Sequence, residues 1–123
     1  MDNPSFSEVQ SSIEAYAKIV ENVQITELDI SASSDYDGSD DAKKAEYEKQ
    51  RKRYKMLYFA MNAANQKDGV ALTGITFWGT ADHYSWLQSR SNVGGGNTTG
   101  LPQCPLLFDE NYEPKPCFWV FVE

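Results

Sequence analysis

Glu27 and Asp29 stand two residues apart inside VQITELDIS, residues 23–31. Val23, Ile25, Leu28 and Ile30 give this stretch the β-branched and apolar character of a strand, with no Gly or Pro to interrupt it. Burying a carboxylate is costly unless it is paired, hydrogen-bonded or used. Side chains at i and i+2 of a strand share a face. Strict alternation therefore puts Glu27 and Asp29 on one side with Val23 and Ile25, and turns Leu28 and Ile30 towards packed helices. Paired carboxylates are the equipment for acid–base and nucleophilic work on glycosidic bonds. The plainer alternative is that the acids cap neighbouring loops or pair with Arg elsewhere, and spacing alone leaves both open.

Aromatic residues tip the balance. Trp78 falls near the C-terminal end of a second apolar run, 72–78, and Trp86 follows in a loop. Aromatic rings offer flat apolar faces with specific stacking geometry, and such faces suit the C–H faces of sugars. If the two strands are neighbours, Trp78 lies near Glu27, and carboxylate plus tryptophan points to a carbohydrate site. His83 lies between the tryptophans and Tyr84 follows it. His83 could contact a ligand, although a lone loop histidine is more often simply exposed.

These residues need elements to hold them. NPSFSEVQSSIEAYAKIVEN opens with a capping box, Ser5 with Glu8 or Ser7 with Gln10. Val9, Ile13, Tyr16, Ala17 and Val20 then recur at helical spacing as one apolar stripe. The polar loop 31–41 carries Asp35, Asp37, Asp40 and Asp41, without the spacing of a calcium loop. Its last acids suit the positive end of the next helix. That long helix runs through DAKKAEYEKQRKRYKMLYFAMNAANQ, its buried side marked by Tyr47, Tyr54, Leu57, Tyr58, Met61 and Ala64. Gly69 is expected to cap its end. After the second strand comes a long loop, about 79–113, whose Gly94-Gly95-Gly96 lacks the ending of a phosphate loop. PKPCFWVFVE reads as a short terminal helix with Trp119 and Phe121 in the core. Strand, long helix and strand form a parallel βαβ unit with a right-handed crossover. In such folds the chemistry gathers at the C-terminal ends of the strands.

Composition sets bounds. A chain of 123 residues suits one small domain or part of a larger one, and 41% hydrophobic content is enough to fold. A net charge of −7 argues against nucleic acid, and the basic run 49–55 reads as a solvated helix face. No apolar stretch approaches the roughly 20 residues of a membrane span, and residues 1–20 lack a signal-peptide pattern. Cys104 and Cys117 match no metal or redox spacing and read as free thiols.

ITELDI (25–30), TFWGTADHYSWL (76–87) and PLLFDENYEPKPCFW (105–119) strongly resemble glycoside hydrolase family 10, the endo-β-1,4-xylanases. The resemblance covers nearly the whole chain. It implies an α/β fold: the C-terminal part of a (β/α)8 TIM barrel, sixth helix through eighth helix, with two parallel strands and three helices. Residues 1–123 would then be one C-terminal fragment of the catalytic barrel. It also implies that Glu27 is the catalytic nucleophile of a retaining mechanism, with Asp29 as a supporting acid in its hydrogen-bond network. Trp78 and Trp86 would line the sugar subsites next to the cleavage point. The general acid/base would be a Glu on the fourth strand, and no such strand end precedes residue 23. Two small departures are Ala81 before Asp82, and Cys117 where a small residue is usual; the loop around 88–103 is longer than usual.

The resemblance implies xylan or xylo-oligosaccharides as ligand, no metal or cofactor, and a secreted parent protein. It predicts negligible turnover from this chain alone. A competing reading is a non-catalytic carbohydrate-binding module using Trp78, Trp86 and Tyr84. A third is a bare folding unit without ligand affinity. A two-stranded sheet has two open edges. The barrel-facing sides of Ile25, Ile75 and Phe77 or their neighbours are expected to lack partners, favouring a homo-oligomer or docking onto a complementary barrel fragment.

Overall fold

The computed structural model describes residues 3–88 and 102–122. Helix α1 spans Phe6–Ala17, strand β1 Val23–Leu28, helix α2 Asp40–Asn65 and strand β2 Leu72–Phe77. Single 3₁₀ turns follow at Asp82–Tyr84, Trp86–Gln88 and Phe118–Val120. The strands pair in parallel, Ile25 opposite Ile75 and Leu28 opposite Phe77. They are joined by α2, as the βαβ reading requires. Two parallel strands joined by a helix are what one stretch of a (β/α)8 barrel presents.

Ser5 and Glu8 form the capping box of α1: the Ser5 N–H donates to Glu8 Oε2 at 2.7 Å, and the Glu8 N–H donates to Ser5 Oγ. These bonds lower the Glu8 carboxyl below its usual range, the Ser5 backbone donor foremost. Ser39 caps α2, and the Asp37 side chain accepts from the Ser39 N–H and hydroxyl. The acidic loop therefore shapes a helix start, with Asp40 and Asp41 in the first turn. The basic run lies along α2 in exposed or half-buried positions, where Arg51 binds Glu48 at 2.7 Å and Lys49 meets Asp35 and Glu46.

The core forms where α1 and the sheet meet α2. Tyr54 is its centre: it is fully buried, its hydroxyl donates to the Pro105 carbonyl at 2.7 Å, and its ring meets Phe77 and Phe121 edge-on at 5.8 Å. Ile13, Ile30, Leu57, Met61, Ala64 and Cys117 complete the buried cluster. Both cysteines are free and buried. Burial raises the Cys104 thiol to about 12 and the Cys117 thiol to about 11.

Several expectations need correction. The third helix is only the turn Phe118–Val120; Pro114 and Pro116 remove donors just before it. Phe121 does pack on the core, but Trp119 is 46% exposed. The apolar stripe of α1 stops early, because Ile13 is buried while Tyr16 and Val20 are exposed. Helix α2 ends at Asn65 with Gln66 as its cap, so Gly69, at φ +79°, serves the turn beyond it. Ile25, Ile75 and Phe77 pack against the α2 cluster, and it is their neighbours Gln24, Thr26 and Thr76 that are exposed. The triple glycine 94–96 lies outside the described residues.

Candidate active site

Strict alternation fails in β1. The register shifts between Ile25 and Leu28, and Glu27 takes a left-handed backbone with φ +56°. Two successive residues, Thr26 and Glu27, are consequently exposed, while Val23, Ile25 and Leu28 all pack on the core cluster. Glu27 thus does not share a face with Val23 and Ile25. The bulge re-aims its side chain away from the core, a frequent use of bulges beside active sites. A non-glycine residue in this region costs roughly 1–3 kcal/mol, so the surrounding structure holds it there.

Asp29 follows the strand and is half-buried. The Trp86 indole Nε1–H donates to Asp29 Oδ2 at 2.7 Å. Burial raises the Asp29 carboxyl above its usual range, the Trp86 bond opposes that rise, and the charge of Glu27 adds to it. Trp78 is fixed beside them through its backbone, whose N–H donates to the Leu28 carbonyl at 3.0 Å. Its side chain remains 47% exposed. The ends of both strands therefore place an exposed carboxylate, a tethered carboxylic acid and two indoles in one neighbourhood.

His83 and Tyr84 form a different grouping. Both are exposed; their rings lie 3.9 Å apart, and Tyr112 stands edge-on to His83 at 5.4 Å. A hydrogen bond with Tyr84 raises the Tyr112 phenol. The contacts of this group run among its own rings, whereas Asp29 is bonded to Trp86. A cleft of about 450 Å³ includes His83, Tyr47 and Glu110 in its lining, and a groove of about 710 Å³ runs between α2 and Trp119. Glu27, Asp29, Trp78 and Trp86 line neither of these two cavities.

A buried ion pair lies behind the loop that carries Trp86. Asp82 and Lys115 form a buried ion pair, with Lys115 Nζ 2.9 and 3.1 Å from the carboxylate oxygens. Asp82 was legible only as part of a motif, and Lys115 only as a residue between prolines. Their pairing spans 33 positions. Among the described residues no group of three or more His, Cys, Asp or Glu side chains is placed to hold a metal ion, and no helix is long and apolar enough to cross a membrane.

Residues 1–123 match the family model for glycosyl hydrolase family 10. The chain is 32% identical over 120 residues to a β-1,4-xylanase of Dictyoglomus thermophilum, covering 98% of this chain and 32% of that protein. It is 33% identical over 125 residues to an endo-1,4-β-xylanase of Geobacillus stearothermophilus, covering 99% of this chain and 35% of that protein. The crystal structure of xylanase B from Clostridium stercorarium F9 superposes with a TM-score of 0.74 at 33% identity, over 98% of this chain and 33% of that one. The chain thus spans about a third of the length of these relatives.

Proposed function

Because the chain belongs to glycosyl hydrolase family 10, we propose that it carries the nucleophile half of an endo-1,4-β-xylanase site. Glu27 attacks the anomeric carbon of a xylosyl unit. A bond forms between its carboxylate oxygen and that carbon, and the glycosidic carbon–oxygen bond breaks. The departing oxygen needs a proton from a second carboxyl group, which a retaining site holds about 5–5.5 Å from the nucleophile. In this reading that group is the fourth-strand Glu of a whole barrel. Water later releases the sugar with its configuration retained. Asp29 supports the nucleophile, and Trp78 and Trp86 flank the sugar. Residues 1–123 act as the C-terminal part of the catalytic barrel, and the whole protein works on xylan outside the cell.

The observation that carries this reading is the exposed Glu27 in a strained bulge beside Trp78 and the Asp29–Trp86 pair. Two consequences separate it from simple sugar binding. Purified chain should release no reducing sugar from xylan above the buffer control. It should nevertheless be labelled by an aryl 2-deoxy-2-fluoroxylobioside with a highly activated leaving group, because such a group departs without a proton donor. Mass spectrometry of the digest should place the adduct on Glu27, and Glu27→Gln should abolish it. Clear xylan turnover would sink the half-site idea. Absence of any adduct, with xylo-oligosaccharide affinity unchanged in Glu27→Ala, would favour the non-catalytic binding module.

A further inference from the structure

The loop after β2 is stitched down at both ends. At its start, Lys115 Nζ donates to both oxygens of Asp82 and to the carbonyls of Cys104 and Leu106, the last two at 2.7 Å. Asp82 Oδ1 also accepts from the Leu106 N–H at 2.8 Å, and the Asp82 N–H donates to the Phe108 carbonyl. The Tyr47 ring lies 4.7 Å beneath the ammonium. At the loop's end, Gln88 Nε2 donates to the carbonyls of Asp82 and Gln103, and the Gln103 N–H returns a bond to Gln88 Oε1. Gln103 Oε1 in turn accepts from the Ala32 N–H at 2.8 Å, three residues past Asp29. Between these stitches sits Trp86, with its indole on Asp29.

We propose that Lys115 is a positioning residue for the acid pair: by holding Asp82 at the head of the 82–88 loop, it fixes the Trp86 indole against Asp29 and so sets the surroundings of Glu27. The importance of Asp29 and Glu27 rests on the functional reading above; the mechanical link does not. A buried ion pair is poor evidence for stability alone, since apolar replacements are often neutral. Its strength is directional: an ammonium with four acceptors around it fixes where those acceptors sit. Lys115 bridges the loop start and the segment 104–106.

Indole hydrogen exchange in the ¹⁵N-labelled full chain tests this. Wild type is compared with two variants, Lys115→Met and the double variant Asp82→Asn with Lys115→Met, the latter leaving no buried unpaired charge. The expected result is that Trp86 Nε1–H exchange quickens about tenfold or more in both variants, as a local opening. Amides of β1 and β2 should keep their wild-type protection in the double variant, and the pH dependence of the Trp86 resonance should shrink. Trp86 exchange within twofold of wild type would overturn the proposal. So would equal loss at Trp86 and the sheet amides in both variants, because Lys115 would then hold the fold and not the indole. No sugar enters the experiment, so a failed xylanase reading would leave its outcome intact.

Discussion

Asp29 is half-buried and accepts a hydrogen bond from the Trp86 indole. Its carboxyl is raised in the folded state, so the stability it contributes is fully present below the unfolded value of about 3.9. That contribution is lost as pH rises through the folded value. The Trp86 N–H favours the ionised form and softens the loss. Replacing Trp86 by Phe should push the Asp29 midpoint higher still, read by side-chain carboxyl NMR titration; a midpoint that falls would show that exposure, not the lost bond, governs this group. Glu27 was legible from the sequence as a candidate, and so was Trp78, because residue type and strand-end position were enough. Its orientation was not legible. Alternation predicted a face shared with Ile25, and the bulge that breaks it depends on pairing with the distant β2, where Ile25 faces Ile75 and then Leu28 faces Phe77.

At the scale of elements, the two α-helices, the two strands and their order follow from periodicity and punctuation. Ser5 and Glu8 mark the start of α1 through local bonds, and Asp40 and Asp41 mark that of α2 by their charge in its first turn, both of which sequence displays directly. The terminal turn was misjudged because its aromatic run mimics a helical stripe, while tertiary docking of Phe121 on Tyr58 and Phe77 needs only one turn. Exit from β2 depends on a glycine. Gly79 has φ +132°, and a Cβ there would stand 2.8 Å from Leu106 Cδ1, a fully buried side chain. Gly79→Ala therefore combines backbone strain with overpacking. It should destabilise the chain by about 2 kcal/mol, seen as a lower urea midpoint with an unchanged slope. An unchanged midpoint would mean that the loop moves freely over Leu106.

At the scale of the whole molecule, two parallel strands carry the sheet, and each has one edge without a strand partner among the described residues. Tyr16, Ile19 and Val20 are 63%, 82% and 48% exposed beyond the packed part of α1. Open edges and apolar surface together favour association. Light scattering after size exclusion should give a mass that rises with concentration towards a discrete oligomer; a constant monomer mass over a hundredfold range, on the order of 1–100 µM where such contacts assemble, would refute this. The family was legible because three ordered motifs survive, whereas the buried Asp82–Lys115 brace is a meeting of distant residues that no local pattern encodes. One consequence reaches back to the backbone of Glu27. Glycine at that position would relax the left-handed turn, so under the proposed role of Glu27 heat tolerance and chemistry compete for a single codon. A lineage selected only to survive warming, with no sugar to cut, would gain stability by replacing Glu27.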